Sequence, residues 1–179
     1  MLKLVLPPIE FFDEQKHEFV TLEGYTLELE HSLVSLSKWE SIFEKPFLGP
    51  EEKTTDEILG YVWAMMLNDV PLDVIKRLDD SHMDRVNTYI EARMTATWFT
   101  KEPKQRQTGE VITSELIYYW MISLDIPMEC QYWHLNRLFT LIRVFNVKSQ
   151  KPKKMSRGEL LARNRELNAQ RRAQLGTKG

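Results

Sequence analysis

The pattern of apolar and polar positions changes its period once, near residue 31. Before that point the alternation is two-fold: Leu2, Leu4 and Leu6 alternate with Lys3 and Val5, and Pro7-Pro8 stops the run. Phe11-Phe12, Glu18–Leu22 and Tyr25–Glu30 continue as short strand-like pieces, separated by a turn at Asp13–Lys16 and another near Gly24. The pattern predicts two to four small strands within residues 1–30, a sheet that needs a helical layer against it. From His31 onward the spacing is helical. Ser32 or Ser35 starts a short helix that runs through Trp39 to Phe43 and is closed by Pro46 and Gly49-Pro50. Thr55, followed by Asp56 and Glu57, caps a helix carrying Ile58, Leu59, Val62, Trp63, Met66 and Leu67. Asn68–Pro71 interrupts, and Pro71 suits the first turn of a short helix near 72–78. Another helix follows near 80–93, with Met83, Val86 and Ile90 on one face.

Residues 100–110 are polar and contain Pro103 and Gly109, which predicts a loop. Thr113 or Ser114 then caps a helix bearing Leu116, Ile117, Tyr119, Trp120, Ile122 and Leu124, broken at Ile126-Pro127. Residues 128–146 read as one long helix with Trp133, Leu135, Leu138, Phe139, Ile142 and Phe145. Lys151–Lys154 forms a linker, and Ser156 caps a final helix to about Leu175. That helix has only Leu160, Leu161, Leu167 and Leu175 as large apolar residues, a thin stripe that favours order dependent on a partner. The predicted fold is α+β, predominantly α. A small N-terminal antiparallel β-sheet (residues 1–30) packs on a helical domain (31–147), and a basic linker and helical tail (148–179) follows.

Charge divides along the same boundary. Residues 148–179 hold ten basic residues against Glu159 and Glu166, a balance of +8. Removing these from the chain's 24 basic and 26 acidic residues leaves 14 and 24 in residues 1–147, a balance of −10. The overall net charge of −2 therefore describes neither part, and the two parts attract each other or recruit different partners. With 42% hydrophobic residues the 179-residue chain has material for a real core. No stretch approaches the ~20 apolar residues of a membrane span, and the N-terminus lacks a signal-peptide pattern, which points to a cytosolic protein. The one cysteine, Cys130, excludes an intrachain disulfide and a Cys-only zinc site.

Candidate chemistry is sparse. Cys130 and His134, four apart on a predicted helix, share a face, but two ligands do not make a metal site, and His17, His31 and His82 offer no complementary spacing. The same pair as nucleophile and base lacks an orienting acid or an oxyanion hole. Alternation places Glu28 and Glu30 on one strand face, toward solvent or a salt bridge with Lys38. The seven glycines form no phosphate-cradling motif. The expectation is a non-enzymatic protein without cofactor or metal. Tyr118, Tyr119, Trp120, Tyr132 and Trp133 cluster around the Ile126-Pro127 break, and Trp98-Phe99 adds a second patch. All of these fill a core in the plainer reading; exposed, they are interface anchors. The candidate partner-binding residues are Trp98, Trp120, Tyr132 and Trp133 for apolar contact, with Lys153, Lys154, Arg163, Arg165, Arg171 and Arg172 for electrostatics. The tail's charge suits phosphate, but it carries no stacking aromatics and the body is acidic, which argues against nucleic acid and for an acidic protein surface.

Several long segments carry a resemblance. EHSLVSLSKWES (Glu30–Ser41), KPFL (Lys45–Leu48), MTATWF (Met94–Phe99), ITSELIYYWMI (Ile112–Ile122), ECQYWHLNRLFTLIRV (Glu129–Val144), PKKMS (Pro152–Ser156) and RNRELNAQRR (Arg163–Arg172) resemble a family of tailed-phage (siphophage) proteins, the tail assembly chaperones, over nearly the whole chain. The resemblance implies a non-enzymatic role in the host bacterial cytoplasm. Such a protein binds the phage tape measure protein, a long helix-rich chain, and keeps it soluble until tail tube subunits polymerise around it. It also implies the major tail tube protein and a frameshifted, extended form of the chain itself as further partners, with self-association left open and no catalytic residues to carry over. Two alternatives stand beside it: a structural tail or baseplate component retained in the virion, and a nucleic-acid-binding protein acting through the basic tail.

Overall fold

The computed structural model describes residues 1–14, 17–99, 111–149 and 157–176, and its first four elements are strands: Leu2–Leu6 (β1), Ile9–Asp13 (β2), Glu18–Leu22 (β3) and Tyr25–Leu29 (β4). β1 pairs antiparallel with β4, Leu4 opposite Leu27 and Leu2 opposite Leu29. Period two then sends Leu4, Leu6, Leu27 and Leu29 to one face, where all four are buried. β2 pairs only with β3, Phe11 opposite Val20 and Phe12 opposite Phe19, so the N-terminal region is two separate two-stranded sheets and not one. The division falls where Pro7 and Pro8 have no N–H to give a ladder and where Gly24 lies opposite them. A Cβ on Gly24 would sit 3.0 Å from the Leu6 carbonyl oxygen and 3.0 Å from Pro8 Cδ, so any larger residue there makes the crossing give way by a few tenths of an ångström.

A clamp spans this break. The Arg77 guanidinium donates to the Glu23 carbonyl and to the Pro7 carbonyl, each at 2.6 Å. It fastens both strands at the base of the β2–β3 ribbon to the 3-10 turn Leu72–Arg77. Arg77→Ala is expected to cost about 1 kcal/mol of global stability, because the two accepting carbonyls are solvent-accessible. It should also speed amide hydrogen exchange across residues 9–22. Arg77→Lys should behave like the alanine variant, since a single ammonium does not reproduce the two-pronged geometry.

The helical layer is built by local caps. Ser32 caps Leu33–Phe43 (α1) in a reciprocal box with Ser35. Thr54, one residue before the expected Thr55, caps Thr55–Ala64 (α2), because a box requires the hydroxyl three positions ahead of Glu57, whose carboxylate returns to the Thr54 N–H at 2.8 Å. Asp79 caps Asp80–Glu91 (α3), and Thr113 caps Ser114–Ser123 (α4). α1 serves two cores. Trp39 enters the first with Leu4, Leu27, Leu29, Tyr61, Val62, Met65 and Val86. Leu33 and Leu36 enter the second with Ile117, Met121, Ile126, Leu135, Leu138 and Ile142.

The helix expected over 128–146 is not continuous. Met128–Tyr132 is a 3-10 turn, Trp133 is extended (φ −73, ψ 159), and the helix proper is Leu135–Ser149 (α5). The break has a tertiary cause: His134 forms an antiparallel bridge with Ser32, and the Leu135 N–H donates to the His31 carbonyl at 2.7 Å. An extended backbone at 133–134 satisfies these groups where a helix would not. Cys130 and His134 therefore do not share a helix face. The last helix is Arg157–Leu175 (α6). The expected loop at 100–110, the linker at Lys151–Lys154 and the cap at Ser156 lie outside the described residues. The chain divides into two compact units, Met1–Phe145 and Asn146–Gly179. Among the described residues no helix is long and apolar enough to cross a membrane.

Candidate partner-binding surface

Of the aromatic residues the sequence singles out, Trp98 stands most open. After α3 ends, the Asn136 amide on α5 donates to the carbonyls of Ile90 (2.8 Å) and Ala92 (3.0 Å), holding the chain as it leaves the helix. Residues 93–99 then border a cleft of about 380 Å3, whose other wall is Asn136, Phe139, Thr140 and Arg143 of α5. Trp98 is 76% exposed. The Arg93 guanidinium lies 4.4 Å from the Trp98 ring centre, and that of Arg143 lies 3.9 Å from the Phe99 ring. Among the described residues, no carboxylate lines this cleft. It joins aromatic faces, guanidinium groups and the hydroxyls of Thr95, Thr97 and Thr140.

The other aromatic candidates are split by burial. Tyr132 is exposed, whereas Trp120 and Trp133 are partly buried and pack against the second core. Arg137 lies 3.8 Å above the Trp133 ring. No ring pair among the described residues joins two of Trp120, Tyr132 and Trp133. Tyr119, one of the clustered aromatics, and Ile122 are exposed on the same helix as Trp120. Arg163, Arg165, Arg171 and Arg172 sit on α6 with exposed side chains, as do Leu160, Leu161, Leu167 and Leu175. Lys153 and Lys154 lie outside the described residues.

Cation–aromatic pairing recurs beyond the cleft. Lys38 Nζ lies 3.6 Å over Trp63 and Lys53 Nζ 4.8 Å over Phe47, which with Arg93, Arg137 and Arg143 makes five pairs among the described residues. A chain of this length ordinarily carries about two. Arginine beside tryptophan or tyrosine is the composition that dominates binding hot spots. A second cleft, of about 540 Å3, lies between α2 and α3 and is lined by Ile58, Leu59, Val62, Leu78, Met83, Val86 and Ile90, together with Lys53, Asp79 and Asp80. Asp79 keeps its charge there: the backbone N–H of His82 and the Ser81 hydroxyl hold its carboxyl at about 2. Each helix shows its apolar face in the sequence, but the gap between two faces belongs to neither helix alone.

The groups weighed for catalysis occupy other roles. Cys130 is buried, and burial followed by the nearby Glu129 pushes its thiol up. Glu28 pairs with Lys3 at 2.6 Å and Glu30 with the N-terminal amine at 2.7 Å, in place of the expected Lys38, which the Trp63 ring engages. Among the described residues, no three His, Cys, Asp or Glu side chains converge as metal ligands would. Comparison with known protein families, with curated proteins and with solved structures yields no match.

Proposed function

We propose that the chain is a non-enzymatic chaperone of phage tail assembly, binding the tape measure protein in the host cytoplasm and holding it soluble until tube subunits enclose it. The observation that carries this reading is the Trp98 cleft, where an exposed tryptophan beside the Arg93 guanidinium adjoins a phenylalanine beside that of Arg143. Such a site takes an amphipathic segment with an apolar anchor and flanking acids. The resemblance of the segments quoted above supports the same client.

Co-expression with the tape measure protein tests it. The client should move from the insoluble to the soluble fraction with the wild-type chain. Trp98→Ala should weaken the complex roughly thirtyfold, the loss of one hot-spot anchor of about 2 kcal/mol. Because Trp98 is exposed, its removal should leave the thermal midpoint unchanged. A client that stays insoluble with wild-type chain, or binding indifferent to Trp98→Ala, overturns the proposal.

One observation favours a second reading. Aromatic faces beside arginines also suit single-stranded nucleic acid, where bases stack and phosphates pair. A gel shift over rising salt separates the two, since nucleic-acid binding must weaken steeply and log-linearly with salt.

A further inference from the structure

Apolar side chains gather where they have least cover. Ile9, Phe11, Phe12, Phe19 and Leu22 of the β2–β3 ribbon are all exposed, Phe19 to 71%. The register sets Ile9 and Phe11 opposite Leu22 and Val20 on one face, and Phe12 opposite Phe19 on the other, where the rings meet edge-on at 5.2 Å. A two-stranded ribbon bearing a bare apolar face is marginal in water, and apolar exposure this concentrated marks a surface of contact. Charge restricts what can cover it. Residues 9–23 carry Glu10, Asp13, Glu14, Glu18 and Glu23 against Lys16, a balance of −4. That balance repels another arm or an acidic segment and attracts a segment that presents apolar side chains together with cations.

α6 offers apolar and cationic side chains together. At 100° per residue its four leucines fall within an arc of about 120° that also holds Arg157, Asn164, Asn168 and Arg171, with Arg163 on one flank and Arg165 and Arg172 on the other. The lengths agree as well: Leu160 to Leu167 spans about 10 Å of helix, and Ile9 to Asp13 about 13 Å of strand. We propose that the β2–β3 ribbon is a docking arm for α6 of a second copy of this chain. Each copy offers one arm and one helix, so the contact is heterologous and joins copies head to tail. This inference uses none of the residues of the Trp98 cleft and stands whatever the client is.

Sedimentation velocity on the full chain tests it. Wild-type protein at about 100 μM and about 50 mM salt should form species larger than a monomer, and the association constant should fall at least tenfold at about 500 mM salt. Phe11→Ser in the arm and Leu160→Ser with Leu167→Ser in α6 should each give monomers. Mixing the two variants should restore one intact interface and stop at a 1:1 dimer. Glu10→Lys with Glu18→Lys should also abolish association, and adding Arg165→Glu with Arg172→Glu to the same chain should restore it, a rescue that misfolding would not produce. A wild-type chain that is monomeric under these conditions overturns the proposal. So does self-association that survives either set of substitutions, or a concentration-independent contact between the arm and the helix of the same copy.

Discussion

Glu40→Ala is expected to lower the free energy of unfolding by about 3 kcal/mol, and Glu40→Gln by roughly half of that. Glu40 lies on the buried side of α1, and its two carboxylate oxygens serve different parts of the chain. Oε1 accepts from the Phe47 N–H at 2.9 Å, and Oε2 accepts from the Ser114 N–H at 2.7 Å. Ser114 is the first residue of α4, so its N–H is one of the donors that a helix start leaves without an intrahelical acceptor. A negative charge there also meets the positive end of the helix dipole. Alanine leaves both N–H groups without this acceptor, Ser114 being fully buried, at about 1–3 kcal/mol for each. Glutamine keeps one acceptor and turns an amide N–H2 toward the other donor. Urea unfolding should show the midpoint moving with the slope unchanged. A Glu40→Ala midpoint within about 0.5 kcal/mol of wild type would mean that the carboxylate holds nothing together.

Glu40 also shows where the sequence falls silent. A glutamate one residue after Trp39 reads as the solvent side of a short helix, because no local rule anticipates an acceptor needed 74 residues later. Features set by nearest neighbours are legible: the leucine alternation of β1, the stop at Pro7-Pro8, and the serine spacing that caps α1. Features set by distant backbone are not. The apolar period runs without interruption from residue 128 to 146, yet the bridge from His134 to Ser32 breaks the helix. The predicted sheet likewise becomes two ribbons, since strand alternation says nothing about which partner lies beyond a proline pair.

The same division governs the candidate surface. The position of Trp98 just before a polar stretch marked it as a candidate, and it is exposed. Trp120 sits in a segment that is apolar on nearly every side, with Ile117 and Met121 buried while Tyr119 and Ile122 are open. Periodicity cannot choose a face there. The exposed arm was legible only as strands, because its lack of a covering layer is a property of everything that fails to reach it.

Acid should loosen the junction between the two cores before it reaches most carboxylates. His31 and His134 are both buried, with ring centres 5.1 Å apart. His31 Nδ1 shares a 2.5 Å hydrogen bond with the Tyr61 hydroxyl. The Nε2–H of His134 donates to the Tyr89 carbonyl at 2.9 Å, while its Nδ1 accepts from the Asn136 N–H at 3.3 Å. A proton on that Nδ1 would face an N–H, so the neutral ring is the one that fits. Burial, then the neighbouring His134, lowers His31 from 6.5 to about 4. Burial also lowers His134, opposed by its bond to Tyr89 and by the Glu30 carboxylate, which the N-terminal amine partly offsets. Above pH 6.5 both rings are neutral whether the chain is folded or not, and this stability is complete. Below 6.5 the unfolded chain takes up the proton first, so stability falls as pH falls, until the folded His31 titrates near 4. The loss from His31 over that window is about 3 kcal/mol, at about 1.4 kcal/mol per pH unit. Asp79, held at about 2, keeps its full stabilisation across this window and loses it only as pH falls from the ordinary aspartate value toward 2, so it does not blur the decline. Urea unfolding at steps from pH 7.5 to 4.5 should show the decline, and His31→Asn, which keeps an acceptor for the Tyr61 hydroxyl, should flatten its slope. Stability that stays level from pH 6.5 to 5 in the wild-type chain would show that these rings do not have to be neutral for the cores to meet.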